Sequence, residues 1–235
     1  ILLVNSIKNT EEVSGMMKGI LATILLLVAL VSFGFDFGGG GPMLMYFPGG
    51  TLFGLKNINV PVVDFPDFSD GIIAFGGYGY GGIPGMSYSG GFGFGGEKVV
   101  NKDGNKFKVG ISGGFGAGYK NLAFGNVSLL AGLGFGGVNV TVGRFVNENN
   151  TSMSDLENGT LEGYLIASID YYAVSADLSL NVSLTSFMQI SIGAMLIGGY
   201  SIDGWTVNGK ALQGVSDSSK FLLMYSLYGG VGFGF

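Results

Sequence analysis

Three features of the chain carry residue types that could do chemistry. The triplets Gly77/Gly79/Gly82, Gly91/Gly93/Gly96 and Gly132/Gly134/Gly137 each read Gly-x-Gly-x-x-Gly. That spacing lets backbone approach a pyrophosphate when a strand precedes it and a helix follows. No helical period follows any of the three, so they read as a repeat and no nucleotide is expected. Asp64, Asp67 and Asp70 stand in Asp-Phe-Pro-Asp-Phe-Ser-Asp. Calcium takes several loop oxygens, but this spacing is not that of a calcium loop, and Asp, Ser and Pro are ordinary turn formers. Carboxylate pairs alone can cleave glycosides; no pair here is placed by a recognisable motif. The chain has no histidine and no cysteine. It therefore lacks the usual general base and commonest metal ligand near neutral pH, and any disulfide, thiolate site or lipidated cysteine. The expectation is a protein that is not an enzyme and holds no cofactor and no metal.

The elements that carry these residues follow from composition. Glycine numbers 46 of 235 residues, close to a fifth, against an average of about 7%. There is no Gly-x-y period and only five prolines, which excludes collagen. Aromatics at 13%, charged residues at 11% and a mean hydropathy of +0.48 exclude simple disorder. Net charge is −5, and the eleven Lys and Arg residues form no basic run, so no nucleic-acid partner is expected.

Met17-Lys18, the apolar run Ile20–Val31 and the small-x-small site Ser32-Phe33-Gly34 describe a secretory signal peptide over 17–34. The apolar core is shorter than the roughly 20 residues of a spanning helix. Residues 1–16 read as an extension upstream of the true start. Residues 35–70 are irregular and rich in Gly, Pro and Phe, and 71–235 form the folded domain.

Within that domain, period 2 replaces any helical period. In 174–185, Val174, Ala176, Leu178, Leu180, Val182 and Leu184 alternate with Ser175, Asp177, Ser179, Asn181, Ser183 and Thr185, which predicts a strand with one apolar face. Met188, Ile190, Ile192, Ala194 and Leu196 continue after a tight turn near Thr185-Ser186, making a hairpin. In 126–142 the alternation slips at Gly136-Gly137, from odd Val127–Phe135 to even Val138, Val140 and Val142, as a β-bulge would make it. Gly76–Gly82 recurs as Gly90–Gly96, with looser copies at 131–137 and 229–235, each with rings on one face and bare backbone on the other. The pattern predicts eight strands, near 72–82, 86–96, 106–119, 122–143, 160–172, 174–185, 187–200 and 220–235. Most are as long as the 9–11 residues that cross a bilayer.

The last strand, Tyr225–Phe235, has apolar residues at alternate positions and ends on Phe. It resembles the C-terminal signature of bacterial outer-membrane β-barrels. Gly230, Phe233 and Phe235 match the family's glycine and two terminal apolar positions, and Tyr228 fits the position before them. The resemblance implies that these four residues form a membrane insertion signal read by the barrel-insertion machinery. The chain also resembles glycine-rich exported envelope proteins, through 38–43, the Gly-aromatic repeats, Leu184-Thr185-Ser186-Phe187 and Asp203-Gly204-Trp205; no activity comes with that likeness. The expected fold is all-β: an antiparallel meander closed into an eight-stranded barrel in the lipid bilayer of an outer membrane, or at the cell surface, with a structural, binding or small-pore role. In that barrel Phe92, Phe94, Phe115 and Phe233 face lipid. The alternative is a soluble or surface-bound β-sandwich acting as an envelope-coat or interaction protein. Faces of bare glycine where a barrel would have a polar interior favour that alternative.

Overall fold

The computed structural model describes residues 38–49, 70–82, 87–102, 105–145, 164–207, 209–213 and 217–234. The segments read as upstream extension, signal peptide and most of the stretch before residue 70 lie outside the described residues. The strands are β1 (Gly38–Phe47), β2 (Ile72–Gly82), β3 (Tyr88–Lys102), β4 (Asn105–Phe124), β5 (Val127–Phe145), β6 (Tyr164–Ser183), β7 (Met188–Tyr200), the short β8 (Thr206–Val207) and β9 (Lys210–Ala211), and β10 (Phe221–Phe233). The hydrogen-bonded order β5-β4-β3-β2-β1-β10-β7-β6 returns on itself through the β5–β6 pair. Eight antiparallel strands thus close a barrel, and β8–β9 is a small flap paired to β6. Closure excludes the open two-sheet sandwich.

The connections after β2, β4 and β6, together with both ends of the barrel chain, lie at one end of the cylinder; the other connections lie at the opposite end. The former is called the turn end, the latter the loop end. At the turn end Phe124 pairs with Val127 across Gly125-Asn126, where Gly125 takes φ 64°, as a two-residue hairpin requires. The β6–β7 hairpin is the one expected, closed by Leu184 N–H donating to Met188 O at 2.9 Å.

The barrel has the eight strands expected, but two differences from the sequence pattern cancel in that count. Gly38–Phe47, expected to be irregular, is β1, so the barrel begins there and not at 71. The stretches 160–172 and 174–185 are one strand, β6, of 20 residues. The bulge at Gly136-Gly137 does not exist: β5 pairs with β4 and with β6 in unbroken register through that point.

The slip has another cause. Along β5 the odd residues face outward and the even ones inward throughout. Toward the turn end the outer face is apolar, with Leu133 and Phe135 exposed; toward the loop end it becomes Asn139 and Thr141, while Val138, Val140 and Val142 are buried inside. β6 inverts at the same level. Below it, Val174, Leu178 and Leu180 lie outside and Ser175, Ser179 and Asn181 are buried within; above it, Asp170 lies outside and Ala167, Ile169 and Tyr171 within. The barrel therefore has two halves. The turn-end half is apolar outside and encloses tyrosines, Ser175, Ser179, Asn181 and Asp177 beside Phe92, Phe115 and Leu130; the loop-end half of β4–β6 is polar outside around an apolar core. That core gathers Met45, Phe47, Ile72, Val109, Ile197 and Met224, with Trp205 of the β7–β10 connection seated in it.

The aromatic rings also fall otherwise than expected. Phe92, Phe94 and Phe115 are buried inside, with Phe92 and Phe115 stacked at 4.8 Å; only Phe233 of the four faces outward. In the copies within β2 and β3 the bare faces are the outer ones: Gly77, Gly93 and Gly114 lie in one cross-strand row and Gly79, Gly91 and Gly116 in the next. In the looser copies of β5 and β10 the large side chains Leu133, Phe135, Val231 and Phe233 face outward and Gly132, Gly134, Gly136 and Gly230 inward. Glycine therefore lines part of the interior, in β5, β7 and β10, but the closed strand order leaves no sandwich.

Candidate functional site

The residues singled out on the last strand lie on both sides of β10. Tyr228 points inward and is buried, Gly230 faces inward opposite Met43 of β1, and Phe233 faces outward opposite Gly40. Phe235 lies outside the described residues. A side chain at Gly230 would press on Pro42 O and the Tyr78 ring, 2.9 and 3.1 Å from a Cβ there, so the glycine sits where β10 and β1 join. β10 is paired along both edges, to β7 and to β1.

Inward from Tyr228 lies the polar half of the lumen. The Tyr228 hydroxyl donates to Asp177 Oδ1 of β6 at 2.7 Å. Gln189 Nε2 donates to the Tyr80 hydroxyl at 2.9 Å, and the Tyr78 hydroxyl lies 3.1 Å from Ser191 Oγ. The Tyr80 ring stacks on Tyr78, meets Tyr88 edge-on and tilts against Tyr119. These contacts tie β2, β3, β4, β6, β7 and β10 together across the lumen. What is left is a cavity of about 20 Å³ among Tyr78, Tyr80, Tyr119, Asp177 and Tyr228, enough for about one water molecule. The arrangement can brace a wall; it has no room for a substrate. Sequence reading placed Asp177 on a polar strand face but did not foresee its partner, because the pairing crosses the barrel between residues far apart in sequence.

The other sequence candidates are dispersed. Asp64 and Asp67 lie outside the described residues. The Asp70 carboxylate lies 3.5 Å from Lys98 Nζ, and its carbonyl accepts from the Tyr46 hydroxyl at 3.2 Å, which fastens the chain entering β2. The three Gly-x-Gly-x-x-Gly triplets lie within β2, β3 and β5, not at a strand-to-helix junction. Among the described residues no group of three or more Asp or Glu could hold a metal.

Comparison with known proteins rests on the fold. No family model and no curated protein sequence matches the chain. A major outer membrane protein from Thermus thermophilus superposes with a TM-score of 0.52 at 8% identity, covering 83% of this chain and 98% of that one. The chain has the fold of an outer-membrane β-barrel. Two further structures align with lower scores. One is Ail, the attachment invasion locus protein of Yersinia pestis, in complex with the heparin analogue sucrose octasulfate, with a TM-score of 0.47 and 8% identity over 84% of this chain and 95% of that one. The other is Neisserial surface protein A, with a TM-score of 0.47 and 9% identity over 85% and 97%.

Proposed function

We propose that this chain is a non-catalytic barrel of a bacterial outer membrane, exported by residues 17–34 and inserted through its last strand, with a structural or binding role at the cell surface. The observation that carries this reading is the shared level at which β5 and β6 exchange their polar and apolar faces. A soluble barrel has no reason to expose Leu133, Phe135, Val174 and Leu178 in one band while burying Ser175, Ser179 and Asn181. In hydrocarbon the same distribution is the favourable one, since the outer face meets lipid. The apolar outer run on β6 goes from Tyr172 to Val182, matching the roughly 9–11 residues with which a tilted strand crosses a bilayer. Short turns face the periplasm in such barrels and longer loops face outward, so the loop-end half stands above the membrane as a water-exposed extension with its own dry core.

Tyr228, Gly230, Phe233 and Phe235 form the insertion signal in this reading. Phe233 and the outward residues Leu227 and Val231 supply the apolar face of β10, and the strand is the last to pair on both edges. The packed lumen supports a bracing or binding role over a pore. The test is fractionation after expression with a Gram-negative secretion system. The protein is expected in the outer membrane, resistant to carbonate extraction and faster on a gel before boiling than after. Complete release by carbonate would contradict the reading.

A further inference from the structure

The outer wall carries a groove of about 450 Å³ just above the apolar band, within the range of about 300–1,000 Å³ typical of small-molecule sites. Its floor is Gly95 and Gly110; its sides are Phe75, Glu97, Ser112, Asn139 and Thr141. One cross-strand row runs Phe75, Gly95, Ser112, Asn139, Asp170, and the next runs Glu97, Gly110, Thr141. The polar groups are held in place. Asn139 Nδ2 donates to Asp170 Oδ1 at 2.7 Å, and Glu97 Oε2 lies 2.7 Å from Lys108 Nζ. The Phe75 ring at the lower edge is 71% exposed.

We propose that this groove binds the sugar headgroup of a glycolipid in the leaflet next to the loop end, a proposal that rests on the membrane reading above. An exposed ring offers an apolar platform for the C–H face of a pyranose. The amide, hydroxyls and carboxylates beside it accept from and donate to adjacent sugar hydroxyls, and such groups gain most when already oriented. With Glu97 paired to Lys108, the Asp170 carboxylate leaves the groove net negative, which disfavours a phosphate headgroup. Position chooses a lipid over a free saccharide: the groove opens at the rim of the apolar band, and directly beneath it Gly93 and Gly114 leave the wall bare for an acyl chain.

The test uses the full mature chain folded in detergent micelles. Native mass spectrometry would read the lipid retained from micelles doped with digalactosyl diacylglycerol, with phosphatidylglycerol of the same acyl chains, or with free lactose. The expected result is retention of the glycolipid at least about tenfold above the other two, equivalent to about 1.4 kcal/mol. Gly95→Leu fills the groove, and a Cβ there has ordinary room, 3.9 Å from Ser112 Cβ. This variant, and separately Asn139→Ala, should reduce glycolipid retention to the phospholipid level while keeping the heat-dependent gel shift. Equal retention of both lipids, or indifference to Gly95→Leu, would overturn the proposal. Lactose bound as strongly as the glycolipid would overturn the lipid source. A wild-type chain with no gel shift would contradict the membrane reading instead.

Discussion

Tyr228 and Asp177 meet inside the barrel from strands that are not neighbours: β10 and β6 are separated by β7, and the hydroxyl-to-carboxylate distance is 2.7 Å. The bond spans the lumen side of an intervening strand at Gly193, where any side chain would collide with the Tyr228 ring. Removing the acceptor leaves the buried Tyr228 O–H without an acceptor for its proton, although Ser179 still bonds its oxygen, at a cost of about 1–3 kcal/mol. Asp177→Ala should lower the stability of the folded barrel by that amount in urea unfolding from micelles. Asp177→Asn keeps an acceptor in place and should stay close to wild type. Equal stability of Asp177→Ala and wild type would show that the pair does not brace the wall.

Two glycines in similar sequence contexts should behave oppositely. A Cβ on Gly136, which faces inward, would run into the carbonyl oxygen of Gly114 on β4, whereas one on outward-facing Gly116 meets nothing within 4 Å. Tight curvature uses glycines of the first kind. Gly136→Ala should reduce the yield of gel-shifted barrel several-fold, and Gly116→Ala should leave it unchanged. Similar yields for both would mean that the curvature at β4–β5 does not depend on the missing side chain.

The lumen permits a prediction about transport. Eight-stranded barrels leave room only for side chains or one small ligand, and here the turn-end half holds a cavity of about 20 Å³ beneath an apolar core that includes Trp205. Planar bilayers containing the purified protein should show no steady channels of general-porin size. Such channels would contradict the packed interior.

These features were partly written in the sequence. The alternation in 174–185 gave β6 and its hairpin with β7, because a strand with one apolar and one polar face keeps a strict period of 2. The inversion was also visible, twice. Along β5 and β6 the apolar face passes from the outer wall to the inner one, and in one dimension that is indistinguishable from an inserted residue. Gly136-Gly137 therefore reads as a bulge and the junction near 173 as a strand break. Only the pairing of Gly137 with Tyr172 and of Gly136 with Ala173 shows the two slips to be a single level on the barrel. β1 escapes a sequence reading because Gly38–Gly41 and Pro42 hide the alternation of Met43, Met45 and Phe47. Phe92, Phe94 and Phe115 mislead because a ring beside glycine reads as an outward residue, whereas in β3 and β4 the rings fill the lumen and the neighbouring glycines take the outer wall, the reverse of β5 and β10.

The last strand yields a separate expectation. If Phe235 is part of the insertion signal, Phe235→Asp should do more than remove one apolar contact, which by burial alone is worth about 1.5–3 kcal/mol. Gel-shifted protein in the outer membrane of an expressing Gram-negative host should fall severely, with the chain degraded or aggregated in the periplasm. Assembly at the wild-type level would remove the insertion role from Tyr228, Gly230, Phe233 and Phe235.

The level at which the outer wall passes from lipid to water decides between a membrane barrel and any other, and β5 allows it to be read directly. The chain has no cysteine, so single cysteines at Leu133, Phe135, Asn139 and Thr141 can each carry a nitroxide on the same outward face. Collision with oxygen, which concentrates in hydrocarbon, and with a water-soluble nickel chelate should be measured by electron paramagnetic resonance in lipid vesicles. Labels at 133 and 135 are expected to favour oxygen, and labels at 139 and 141 to favour nickel, with the crossover between Phe135 and Asn139. Equal nickel access at all four sites would contradict the claim that this band is buried in a membrane.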